Sequence, residues 1–308
     1  MENELSLDAY AKINLVLDVT GRRSDGYHTV RMIMQTIGIH DTLTFKKGTR
    51  PGIRLTMNAG DLPTGQDNLI IKGINAALGY KDKDRCIEDI SLDIDLEKRI
   101  PIAAGMAGGS TDAAAAMIAV NKIEKLGLSC KELREAAVHV GADVPYCLMG
   151  GTVLAEGIGE ILTPLPDIGD VCIVIAKPSE SVSTKYVYEK LDRADNIIHP
   201  DIDGALKIIR SKETATDIKV TSMLPFMGNV LEYVTIPEHR DTDDIKNVME
   251  GYGAEKAMMS GSGPSVFGIF RDSVDAAKAC DEIRSRGLAH TTFVTGTVSR
   301  GKGETIYA

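Results

Sequence analysis

Apolar and polar residues alternate near the start of the chain. Leu7, Ala9, Ala11, Ile13, Leu15 and Leu17 are separated by Asp8, Tyr10, Lys12 and Asn14, among others. A period of two predicts a strand with one buried face. A turn-rich stretch from Gly21 to Gly26 follows, and strand-like sequence resumes over 29–39, 42–45 and 53–57. Asp67 and Asn68 are N-cap residues for a helix running to about Leu78. Leu92, Ile94 and Leu96 alternate with Asp93 and Asp95, a further strand before Pro101. The four alanines after Asp112 predict a helix over 112–126, and 131–140 predicts another, stopped by Gly141. Beyond the run 161–169, which holds Pro164 and Pro166, strands are expected over 171–176, 265–270 and 291–298, with a helix over 274–286. Helices packed on an antiparallel or mixed sheet in each half define an α+β chain. The proline-bearing run divides it into 1–162 and 163–308.

Composition narrows the function classes. A length of 308 residues fits two domains. The net charge of -9 argues against a nucleic-acid partner, which needs a basic footprint. Five cysteines without a CxxC pair signal neither a disulfide framework nor a zinc site. No basic, then apolar, leader precedes Tyr10, and no apolar run reaches membrane-spanning length. A cytoplasmic protein with no membrane association and no evident protein partner is expected.

Chemistry concentrates in a few segments. Pro101, Ile102, Ala103, Ala104, Gly105, Met106, Ala107, Gly108, Gly109, Ser110 and Thr111 lie between a strand and the alanine-rich helix. Small residues let backbone N–H groups approach an anion, and a helix start adds free donors. Ser110, Thr111 and Asp112 are N-cap formers that mark the helix start. The same segment also reads as a tight strand-to-helix turn. Neither GxxxxGK[ST] nor a strand-linked GxGxxG occurs, so the common nucleotide loops are excluded. His239-Arg240-Asp241 lacks the downstream asparagine of a protein-kinase loop and reads as a solvated loop. Met259 to Ser265 is a second glycine-rich turn before a strand. Lys12 and Asn14 could meet a phosphate or hydroxyl, or could line an exposed strand face. Asp143, ahead of the extended Val144-Pro145 dipeptide, reads as a turn former or a general base.

Together these segments resemble the kinase superfamily named for galactokinase, homoserine kinase, mevalonate kinase and phosphomevalonate kinase. The resemblance rests on residues 11–15, 101–111 and 259–266 in that order. Gly21 to His28, Gly141 to Pro145, Ser260 to Pro264 and Asn229 to Ile236 resemble, more closely, a member family that phosphorylates a cytidylylated polyol. The resemblance implies a ribosomal-S5-like N-terminal half and a ferredoxin-like C-terminal half. It implies ATP on residues 101–111, with Mg2+ accompanying it although no metal ligand is evident. Asp143 would be the base and Lys12 its electrostatic partner. Tyr27 and Tyr188 would stack on the cytosine, His28 would meet its polar edge, and Asn14 and Thr184 would contact the rest of the substrate. Ala107 replaces a glycine found in many members. No Gly-Glu-His segment of the mevalonate type follows Leu15, and homoserine-type members lack the lysine at position 12. A non-catalytic sensor or RNA-binding role, which this N-terminal fold also serves, is disfavoured by Lys12, Asp143 and the acidic charge.

Overall fold

A computed structural model of the chain describes residues 4–60, 62–211, 219–300 and 305–307. Two long antiparallel strands, β1 (Glu4–Arg22) and β2 (His28–Lys47), form the spine of the first half. With β3 (Gly52–Met57), β4 (Ser91–Glu97), β5 (Thr152–Glu156) and β6 (Ile161–Pro164) they make a sheet of order β3-β4-β2-β5-β6, β1 pairing with β2. Against it pack α1 (Leu69–Leu78), α2 (Gly108–Ile123), α3 (Cys130–Ala137) and α4 (Val144–Met149).

In the second half β7 (Cys172–Lys177), β8 (Lys256–Met259), β9 (Val266–Phe270) and β10 (Thr291–Gly296) form an antiparallel sheet of order β10-β7-β9-β8. Between β7 and β8 run α5 (Thr184–Leu191), α6 (Ile202–Arg210), α7 (Lys219–Met223), α8 (Glu232–Thr235) and α9 (Arg240–Gly251). Helix α10 (Ser273–Ser285) links β9 to β10. This is the split β-α-β arrangement of ferredoxin-like folds. The two-domain α+β architecture is therefore present. The expected 162/163 division falls inside β6, and the segment between Pro164 and Cys172 joins the two sheets.

Local signals held where their chemistry is local. Asn68 caps α1, accepting from the Ile70 N–H at 2.8 Å. Ser129 and Glu132 form a capping box that opens α3, one residue before the predicted start. Four expectations need correction. Strand β1 is not buried on one face alone: Lys12 and Asn14 are buried as well. Register shifts at Tyr10/Lys12 and Asn14/Val16 mark bulges, which re-aim the residues that follow. Ala9 and Leu17 consequently join one core, while Ala11, Ile13 and Leu15 join another. Strand β2 runs unbroken through Asp41, because that buried carboxylate accepts N–H bonds from Arg99 and Ile100 inside the fold. Val144 is not extended: Pro145 lies in the first turn of α4, where its missing N–H costs nothing. Arg240 and Asp241 open α9 instead of lying in a loop.

Candidate functional site

The glycine-rich segment leaves β4 and turns with positive φ at Ala103 (51°), Gly105 (70°) and Ala107 (60°), but not at Ala104 or Met106 between them. Ala104 and Met106 are buried and anchor the loop in the core. Alternation of hand converges successive backbone N–H groups into an anion-binding concavity. Helix α2 then starts at Gly108, four residues ahead of the predicted helix. Ser110, Thr111 and Asp112 thus occupy its first turns and do not cap it. Ala107 occupies the cap position without a side-chain bond, so among the described residues no capping side chain takes up the N–H groups of the first turn. The first intrahelical bond runs from Thr111 N–H to the Ala107 carbonyl at 2.9 Å.

Beneath this helix start, the Lys98 side chain, only 7% exposed, lies between Asp41 and Asp112, 2.7 Å from the latter. Burial outweighs the lysine's attraction and pushes the Asp112 carboxyl up to about 8. Asp41, the other partner of Lys98, accepts hydrogen bonds from the N–H groups of Arg99 and Ile100.

Strand β1 brings Lys12 to the loop, its N–H donating to the Met106 carbonyl at 3.2 Å. The Lys12 ammonium donates to Asn14 Oδ1 at 2.8 Å and lies 3.9 Å from Asp143 Oδ2. Asn14 in turn directs its amide at the Met32 sulfur, 3.3 Å away. Asp143, at the N-cap position of α4, keeps its side chain about one-third exposed, 34%. A buried cation thus faces a solvent-reachable carboxylate.

The second glycine turn closes on the first. Ser260 Oγ donates to the Gly105 carbonyl at 3.1 Å. A Cβ on Gly105 would come within 2.2 Å of the Ser260 carbonyl oxygen, so only glycine fits. Asn229 holds this turn by donating to the carbonyls of Met259 and Gly261 at 2.9 and 2.8 Å. Thr184, at the start of α5, shares a 2.8 Å hydroxyl contact with Ser262.

These parts open onto one cleft of about 770 Å³. Lys12, Asn14, Tyr27, His28, Asp143, Thr184 and Tyr188 all line it, with Gly105, Ala107 and Ser110 from the glycine-rich loop. Pro101, Ile102, Ala103, Ala104, Met106, Gly108, Gly109 and Thr111 do not. A side chain on Gly108 would meet Ile100 and Lys98. At the far end the Tyr27 ring is 62% exposed, while its backbone closes a turn through Asp25 and Arg23. The rings of His28 and Tyr188 lie 5.0 Å apart, tilted 41°. Burial, with Asp143 nearby, raises the Tyr188 phenol far enough to keep it neutral.

Models of the GHMP kinase N-terminal and C-terminal domains match residues 68–151 and 219–289. A 4-diphosphocytidyl-2-C-methyl-D-erythritol kinase of Lachnospira eligens is 49% identical over 95% of this chain and 98% of its own length. The corresponding kinase of Lachnoclostridium phytofermentans is 45% identical over 94% and 96%. The chain belongs to this kinase family, within the GHMP kinases. A crystal structure of 4-(cytidine 5'-diphospho)-2C-methyl-D-erythritol kinase superposes with a TM-score of 0.77 at 27% identity, covering 95% of this chain and 99% of that one. L. major mevalonate kinase shares the fold at TM-score 0.68 and 13% identity, over 97% and 98%. Family membership makes the chain a phosphotransferase with ATP as its co-substrate. Among the described residues no helix is long and apolar enough to cross a membrane.

Sequence reasoning missed several residues of the cleft. Arg22, Asp25, Lys185 and Glu189 line it and carry its remaining charge. Gly261 and Ser262 also line it, so the second glycine turn is part of the wall. Their signal was the Ser-Gly-Ser-Gly run itself, but only tertiary contact shows which surface that run meets.

Proposed function

We propose that this kinase transfers the γ-phosphoryl group of ATP to the 2-hydroxyl of 4-diphosphocytidyl-2-C-methyl-D-erythritol, in the route to isoprenoid precursors. The observation that carries the reading is the 3.9 Å Lys12–Asp143 pair opening onto the same cleft as the glycine-rich helix start. Phosphoryl transfer needs positioning and electrostatic stabilisation more than covalent chemistry. The concavity at Ala103–Ala107 and the first-turn N–H groups of α2 would receive the phosphates. Asp143 would accept the proton of the attacking hydroxyl, and Lys12 would stabilise the charge that develops as it leaves. Asn14, by fixing the ammonium, would hold that geometry, and Thr184 would contact the polyol.

Mg2+ would enter with the nucleotide. Among the described residues no group of three or more His, Cys, Asp or Glu side chains is placed to hold a metal. That fits an ion held largely by phosphate oxygens, as Mg2+ commonly is. Ser110, a residue of the first turn that lines the cleft, would offer a protein oxygen to it. The ion would neutralise charge on the phosphates.

The aromatic end would take the base, with Tyr27 and Tyr188 against its faces and His28 at its edge. The exposure of Tyr27 supports this, since it leaves an aromatic residue largely uncovered at the cleft. We place the division of the two domains between Pro164 and Cys172, with the phosphate loop in the first. Coupled ADP release tests the function: the cytidylylated methylerythritol should be turned over, and mevalonate and homoserine should not. Turnover of either alternative at a comparable kcat/KM would overturn the assignment.

A further inference from the structure

The base end of the cleft rests on a carboxylate outside its wall. Arg22 and His28 are cross-strand partners where β1 and β2 begin their connecting loop. Both reach across to Asp192, which follows the last turn of α5 and whose own N–H donates to the Tyr188 carbonyl at 3.2 Å. Arg22 Nη1 donates to Asp192 Oδ2 at 3.0 Å, and His28 Nε2 meets Asp192 Oδ1 at 2.7 Å. One carboxylate therefore serves two donors, one on each oxygen.

A carboxylate beside an arginine is an acceptor only. The hydrogen between His28 and Asp192 must therefore belong to Nε2. In the neutral ring that leaves Nδ1 with a lone pair and no hydrogen. Among the described residues Nδ1 has no hydrogen-bond partner, and His28 lines the cleft. The polar atom it offers a ligand is an acceptor. Cytosine and uracil differ at this kind of contact: cytosine carries an amino donor at C4, whereas uracil carries a carbonyl acceptor there. An acceptor-only Nδ1 bonds the first and opposes the second.

We propose that Asp192 is a positioning residue that selects the cytosine base by fixing His28 in the Nε2–H form. The inference rests on the reading of His28 as the contact to the base edge. Arg22 makes the device directional, because it holds the carboxylate in place and claims its second oxygen. A matched contact against a mismatched one is worth ~1–3 kcal/mol, or about 5- to 150-fold in discrimination.

The decisive variant is Asp192→Asn. Arg22 can only donate, so it takes the amide oxygen, and the amide nitrogen then faces His28 Nε2 as a donor. The ring must accept at Nε2 and carry its hydrogen on Nδ1, which now favours uracil. The ratio of kcat/KM for the cytidylyl substrate to that for its uridylyl analogue should fall by about 5-fold or more. The change should appear in KM. Nitrogen NMR of His28 reads the tautomer directly: Nε2 protonated in the wild type, Nδ1 protonated in Asp192→Asn. A merely structural role for Asp192 would change melting temperature and leave both ratio and tautomer as they were. Wild-type protein with its His28 hydrogen on Nδ1 would overturn the proposal, whether or not the variant folds. So would a folded Asp192→Asn with an unchanged ratio, provided His28→Ala does lower it. If His28→Ala leaves the ratio unchanged, the placement of the base itself is wrong.

Discussion

Gly105→Ala probes how tightly the two glycine turns must meet. At φ 70° the added methyl incurs about 1–2 kcal/mol of left-handed strain. It would also lie 2.2 Å from the Ser260 carbonyl oxygen, whereas contacts below 3.0 Å are essentially never made. Neither partner is a flexible side chain, so the turns must part by roughly 1 Å, and displacements of that size cost on the order of 10²-fold in rate. The motion would stretch the Ser260–Gly105 hydrogen bond and shift the glycine-rich loop relative to Lys12, whose N–H is bonded to Met106. The expected result is a kcat lower by about 10²-fold with a melting temperature lower by roughly 2–8 °C. Coupled ADP release and a thermal melt on the same preparation measure both. Ala107→Gly is the control in the same loop: it relieves strain at φ 60° and should gain up to about 1 kcal/mol after the entropy of the added glycine is counted. A folded Gly105→Ala enzyme with kcat within twofold of the wild type would refute the argument that this contact positions the reaction.

Asp143→Asn should fold as the wild type does and lose ~10²–10⁴-fold in kcat, the usual contribution of a general base; retention of half the activity would contradict that role. Tyr27→Ala should raise KM for the cytidylyl substrate by about 5- to 150-fold, the value of a lost stacking contact, while the melting temperature stays put. The reverse pattern would mean that the ring serves the fold. Asp112→Asn should flatten the pH dependence of stability. Burial raises this carboxyl from 3.8 to about 8, so its contribution is fullest below the unfolded value and is lost as pH rises through the folded one. Urea melts between pH 5 and 8 should therefore show a shallower decline in the variant, and equal slopes would exclude Asp112 as the source.

How much of this was legible in the sequence depended on whether the determining interaction was local. Asn68 caps a helix through an atom two residues away, and that signal was read; the equally local Ser129–Glu132 box was not, and the helix it opens was expected one residue later. The start of α2 was misread because Ser110 to Asp112 are good cap formers, yet the left-handed backbone at Ala107 opens the helix earlier. Helix α4 was hidden because an X-Pro pair ordinarily argues against helix, and only its placement at the first turn reconciles the two. Of the residues named from the family resemblance, Lys12, Asn14, Tyr27, His28, Asp143, Thr184 and Tyr188 line one cleft, whereas only Gly105, Ala107 and Ser110 of the 101–111 loop reach it. Asp192 gave no comparable signal, and Arg22 lay in the Gly21–His28 segment without a role, since their contact joins distant parts of the chain.

The burial of Lys12 follows from the position of β1 in the molecule. This strand pairs with β2 on one side, while farther along Leu17 exchanges backbone hydrogen bonds with Gly228 and Val230 from the other half. Lys12 itself bonds the glycine-rich loop through its backbone. One strand thus registers the glycine-rich loop, the Lys12–Asp143 pair and the wall from the C-terminal half against one another. In its middle, over residues 11–18, the strand is buried throughout, and a buried ammonium is costly unless paired. Asn14 and Asp143 compensate it incompletely, with a single hydrogen bond and a 3.9 Å ion pair. An aliphatic residue would suit the core better, so the lysine is explained by what it does in the cleft and not by what it contributes to the fold.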